Sequence, residues 1–77
     1  MQLHTDLALD LSGLTCPMPL LKTKQALNRM LAGQVLMVTA TDPASERDFQ
    51  AFSQQSGIRL LQTEKNAGKF VYWLQKP

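Results

Sequence analysis

The chain has 77 residues, of which 44% are hydrophobic and 18% charged, and its formal net charge is +2. That length makes one small domain spanning residues 1–77 and excludes a second, while the balance of apolar and charged residues excludes a disordered chain. The 8 basic residues are too few and too scattered to imply nucleic-acid binding by themselves, and no apolar run approaches the ~20 residues of a membrane span.

Met1 to Thr5 is polar and patternless, holds the only histidine, His4, and reads as a frayed start. Leu7, Leu9 and Leu11 alternate with Ala8 and Asp10, which is the period of a half-buried strand, and Ser12-Gly13 then turns the chain. The spacing of Leu20, Leu27, Met30 and Leu31 predicts a helix near residues 17–32 that stops at Gly33. On it Leu20, Thr23, Leu27, Met30 and Leu31 share the apolar face, Lys22, Gln25 and Arg29 share the opposite one, and Leu21 falls outside the apolar face.

Val35 to Thr41 is a near-continuous apolar run suited to a buried strand, and a strand–helix–strand order implies a right-handed parallel crossover. Asp42 offers an N-cap and Pro43 a first helical position, which predicts a second helix near residues 43–55 with Phe49 and Phe52 on its buried stripe. Ile58 to Glu64 and Lys69 to Gln75 alternate and are joined by Lys65-Asn66-Ala67-Gly68, where Asn66 and Gly68 tolerate positive φ, so they form a hairpin. In the last strand Phe70, Tyr72 and Leu74 share one face and Val71 and Trp73 the other; periodicity does not say which meets the helices. The whole is an α+β fold, a two-layer α/β sandwich in the order β-α-β-α-β-β with both helices on one face of a four-stranded sheet.

The chemistry concentrates at Gly13-Leu14-Thr15-Cys16-Pro17-Met18-Pro19, which sets the sole cysteine at the mouth of the first helix. Pro17 and Pro19 fit a first turn whose N–H groups have no intrahelical partner. The remaining N–H groups of Met18 and Leu20, with the helix dipole, are expected to favour an anion and so to lower the pKa of Cys16. A hydrolytic cysteine needs a histidine base, and His4 is the sole candidate. A disulfide oxidoreductase needs a second cysteine, and Cys16 with His4 cannot make a four-ligand zinc site, so no metal or cofactor is expected. What remains suits a group carrier rather than a turnover enzyme. A lone cysteine with no basic and apolar leader before Leu7 reads as cytoplasmic, and the chain is expected to be a monomer without membrane insertion.

Gly13, Leu14, Cys16, Pro17 and Pro19 form a Gly-Leu-x-Cys-Pro-x-Pro pattern that resembles the TusA/SirA family of small sulfur-carrier proteins. Asp42-Pro43 and Arg47-Asp48 are similar to the family pattern at similar distances from the cysteine. Met18 departs from it, standing where members that feed tRNA thiolation often carry an acidic residue. The resemblance implies a mixed sheet in the order 1-2-4-3 with strand four antiparallel to the others. It also implies that Cys16 carries a persulfide loaded by a cysteine desulfurase or similar donor and unloaded by another carrier or enzyme, toward tRNA thiolation, cofactor synthesis or sulfur metabolism. Met18 and Leu21 beside the thiol, with Lys22 and Arg29, are the expected docking contacts. Two other readings stay open: an RNA-binding module with an initiation-factor-like fold, which nothing basic or aromatic supports, and a regulatory subunit that presents Met18 and Leu21 with a dispensable thiol.

Overall fold

The computed structural model describes residues 4–77. Six elements follow the predicted order: β1 (Leu7–Leu11), α1 (Met18–Asn28), β2 (Val35–Ala40), α2 (Ser45–Ser56), β3 (Arg59–Asn66) and β4 (Lys69–Gln75). The sheet runs β1-β2-β4-β3, with β1 parallel to β2 and β4 antiparallel to both of its neighbours. This is the mixed four-stranded sheet expected above.

One face of the sheet makes the core. Leu36, Val38 and Ala40 of β2 stand beside Leu74, Tyr72 and Phe70 of β4 in register, and all six are buried against Leu27 of α1 and Phe49 of α2. Both helices therefore cover the same face, which decides the question left open for β4: Phe70, Tyr72 and Leu74 point inward, and Val71 and Trp73 are half-buried on the other side. Phe49 stacks on Tyr72 with ring centroids 4.4 Å apart and planes at 15°. Beside that pair, the hydroxyls of Ser45 and Tyr72 are hydrogen-bonded at 2.7 Å in a buried position. A buried phenol without its partner pays for its desolvation, so Ser45→Ala should cost about 1–2 kcal/mol in chemical denaturation, and more than it costs in a Tyr72→Phe background.

α1 is shorter than the periodicity predicts. It ends at Asn28, five residues before Gly33, because the chain tightens there: Arg29 and Met30 donate their N–H groups to Ala26 and Leu27. The Lys76 ammonium, arriving at the far end of the chain, binds the Leu27 carbonyl at 2.7 Å and satisfies an acceptor that continued helix would have used. Met30 still tucks into the core, but Leu31, assigned above to the apolar face, is 71% exposed.

α2 begins two residues later than predicted, with Ala44 at its N-cap and no side-chain cap. Asp42 and Pro43 are thus not the cap and first residue of that helix. The Asp42 carboxylate accepts from the Ala44 N–H at 3.3 Å, closing the turn before the helix, and its other oxygen is drawn across to the Cys16 loop. Phe52 packs against the core beside Phe49. The frayed start read for residues 1–5 falls partly outside the described residues. His4 itself is hydrogen-bonded to Asp6 at 2.9 Å, and the Val35 N–H together with His4 holds the Asp6 carboxyl below its ordinary range.

The hairpin connection is two residues shorter than predicted, because β3 continues through Lys65 and Asn66. β3 and β4 pair through Asn66 and Lys69, leaving Ala67 and Gly68 as a two-residue turn with φ of 51° and 80°. Asn66, expected to tolerate positive φ, belongs to the strand instead, and an alanine takes the left-handed position. Because a Cβ is disfavoured there and asparagine is better tolerated, Ala67→Asn should stabilise the fold by up to about 1 kcal/mol, read as a raised denaturation midpoint with an unchanged slope.

Candidate functional site

The site is assembled where the C-terminal ends of β1 and β2 meet the starts of both helices. Leaving β1, the chain turns at Ser12-Gly13, with both the N–H and the hydroxyl of Ser12 bonded to the Asp10 carboxylate. Gly13 adopts φ 84°, which a side chain would resist, and donates its N–H to the Thr41 hydroxyl at 2.8 Å. The Cys16 N–H donates to the Asp42 carboxylate at 2.9 Å. Two contacts from the end of β2 therefore clamp the loop that presents the thiol. Thr41 was missed by sequence reasoning; a hydroxyl side chain at a strand end is the sole local hint of it.

Cys16 is exposed, and its Sγ donates to Asp48 Oδ2 at 3.3 Å. Asp48 lies in the first turn of α2, where the helix dipole favours an acidic side chain. Arg47 Nε is 3.9 Å from the other Asp48 oxygen, and its side chain is 84% exposed.

This geometry reverses the expected shift of the thiol. The hydrogen bond to Asp48 pushes the Cys16 pKa above its ordinary value, desolvation and the charges of Asp48 and Asp42 add to the rise, and Arg47 opposes it. One of the two N–H groups expected to face the thiol is also taken. Pro17 is the N-cap of α1 and the Cys16–Pro17 peptide is cis, while the Met18 N–H, expected to be free, is donated to the Thr15 carbonyl at 2.9 Å. The hydrogen bond to Asp48 and the two nearby carboxylates favour the neutral thiol over the thiolate.

The other predicted residues are placed as follows. Met18 and Leu21 are 36% and 46% exposed near the start of α1, whereas Pro19 is buried. Lys22 and Arg29 stand over β1 on the rim of a groove floored by leucines. Pro43 is exposed in the turn before α2. Cys16, Asp42, Asp48 and Arg47 come together; the Lys22–Arg29 pair forms a separate feature.

Comparison with known proteins bears on this arrangement. The sequence model of the family described as "Sulfurtransferase TusA" matches residues 7–76. The chain belongs to the TusA family. It is 49% identical to the sulfur carrier protein TusA of Allochromatium vinosum over 71 residues, which cover 92% of this chain and 93% of that one. To the sulfur carrier protein TusA of Pseudomonas putida it is 42% identical, over 92% of this chain and 89% of the relative. Among solved structures, the crystal structure of a SirA-like protein from Desulfitobacterium hafniense superposes with a TM-score of 0.76 at 25% identity, covering 90% of this chain and 95% of that one. Family membership extends over every element described above, and with it goes the two-layer fold.

Proposed function

We propose that this protein is a single-domain sulfur carrier that accepts and relays a persulfide on Cys16. The observation that carries the reading is the pairing of an exposed thiol with a carboxylate at 3.3 Å, on a loop clamped by Asp42 and Thr41, in a chain of the TusA family. Relatives named as sulfur carriers agree with it. The RNA-binding and regulatory readings gain no comparable support.

In loading, Cys16 Sγ attacks the terminal sulfur of a donor persulfide. A Cys16 S–S bond forms, the donor S–S bond breaks, and the donor sulfur leaves as a thiolate that takes up a proton. The thiol proton of Cys16 passes to Asp48, so the nucleophile is generated at the moment of attack. No external oxidant enters, because the sulfane sulfur moves between two thiols without net redox change. Unloading reverses these steps: an acceptor thiolate takes the outer sulfur, and Cys16 leaves and recovers its proton from Asp48. Arg47, on the outer side of Asp48, partly offsets the negative charge around the loaded sulfur.

The donor is a cysteine desulfurase or an equivalent persulfide enzyme, and the acceptor a further thiol protein. Met18 and Leu21 supply adaptable apolar contact next to the exchanging sulfur. Among the described residues no helix is long and apolar enough to cross a membrane. A thiol that must stay reduced between transfers suits the cytoplasm. Intact-mass analysis after incubation with a cysteine desulfurase and cysteine should show a gain of one sulfur atom, reversed by dithiothreitol; an unchanged mass, with the desulfurase shown to be active, would overturn the reading.

A further inference from the structure

The two edges of the sheet are built differently. β3 carries exposed Arg59, Glu64 and Lys65 and a register shift between Leu60 and Gln62, all of which hinder addition of another strand. β1 has none of these devices. Its register with β2 is unbroken from Leu7 to Leu11, and its one charged residue, Asp10, is folded back onto Ser12. On the side away from β2, alternate backbone groups of β1 lack a strand partner.

Over this edge lies a groove of about 470 Å³, with Leu7, Leu9 and Leu11 as its floor and Lys22, Gln25 and Arg29 of α1 along its wall. Leu7 is 40% exposed there. Among the described residues neither Lys22 nor Arg29 forms an ion pair or a side-chain hydrogen bond. Both cations are available to a ligand, and their aliphatic stems extend the apolar floor.

We propose that the free edge of β1 binds an extended segment of a partner protein as a fifth strand, and that the segment is acidic. Charge decides between the possible occupants. A second copy paired antiparallel through β1 would bring Lys22 and Arg29 of both α1 helices against each other, whereas an acidic strand neutralises them. The spacing gives the pattern. Seven helical residues separate Lys22 from Arg29 by about 10 Å along the axis. On a strand, positions i and i+4 share a face about 13 Å apart, a difference that flexible cationic side chains span. The helix-facing positions of the partner segment thus read acidic, apolar, acidic, with the apolar residue seated on Leu7 and Leu9.

The probe is a fluorescein-labelled peptide, Thr-Glu-Val-Leu-Val-Glu-Thr with blocked ends, compared with its counterpart carrying lysine for both glutamates. Binding is measured by anisotropy and by amide shifts of the isotope-labelled protein. No sulfur transfer is involved, so the result is independent of the carrier reading. The glutamate peptide should bind, with shifts confined to Leu7–Leu11 and the Lys22–Arg29 face of α1. The variant Lys22→Glu with Arg29→Glu should bind it at least about tenfold more weakly and prefer the lysine peptide, a gain that also shows the variant is folded. Absence of binding, equal affinity for both peptides, shifts centred on β3, or self-association through β1 seen by sedimentation would each overturn the proposal.

Discussion

Cys16→Ser should abolish persulfide loading completely while leaving the fold intact. The chemistry requires sulfur at this position, because the group transferred is held in a sulfur–sulfur bond and the nucleophile must yield its proton to Asp48 during attack; an alcohol, a far weaker acid than a thiol, does neither. Stability should change little. The Cys16 side chain is exposed, its backbone N–H bond to Asp42 does not involve the side chain, and a serine hydroxyl can donate to Asp48 in place of the thiol. The denaturation free energy is therefore expected to stay within about 0.5 kcal/mol of the parent, as for most exposed substitutions. Intact mass after exposure to a desulfurase and cysteine measures the first effect and chemical denaturation the second. A serine variant that still gains a sulfur atom would remove Cys16 from the relay.

Asp48→Asn should have two effects of opposite apparent sense. Because the Asp48 carboxylate is the main reason the thiol sits above its ordinary pKa, the parent protein should alkylate slowly at neutral pH, its rate rising as pH passes the ~8.5 of an ordinary cysteine. Replacing the carboxylate by a neutral amide moves that titration to lower pH, so the variant should be more thiolate-rich at pH 7. Sulfur loading at pH 7 should nevertheless fall on the order of 10²-fold, because the proton acceptor that releases the nucleophile during attack is gone. Asp48→Glu should recover part of the rate. Alkylation against pH, with single-turnover loading kinetics on the same samples, separates the two effects. If loading instead rises in step with the thiolate fraction, Asp48 is a brake on the thiol and its role as proton acceptor fails.

Both expectations turn on contacts that no local pattern contains. Asp42 and Asp48 lie 26 and 32 residues from Cys16 in the chain, and they reach it because the crossover through α1 returns β2 alongside β1 and sets the start of α2 beside the start of α1. Read alone, Asp42-Pro43 has the signature of a helix start, and Asp48 is one more polar residue on an amphipathic helix. The Met18 N–H counts as a free donor until the Thr15 carbonyl is seen beneath it. The thiol was thus legible as the chemical centre, while the direction of its pKa shift was not: a helix dipole follows from chain direction, whereas the position of a carboxylate follows from packing.

By itself the sequence determined the element order, the two α/β layers and the position of Cys16 at the mouth of α1. Those features depend on periods of 2 and 3.6 residues and on turn residues such as Gly13, all encoded within a few positions of one another. The 1-2-4-3 strand order came through the resemblance carried by the Cys-Pro-x-Pro pattern, since periodicity is silent on which strands pair. Only the tertiary structure decided which face of β4 is buried, since Phe70-Tyr72-Leu74 and Val71-Trp73 alternate equally well, and where α1 ends, since Lys76 closes it from the other end of the chain. It also decided that Cys16 rests as a thiol bonded to Asp48, because charge–charge and hydrogen-bond energies depend on distance through space, and sequence separation does not limit that distance once the sheet has formed.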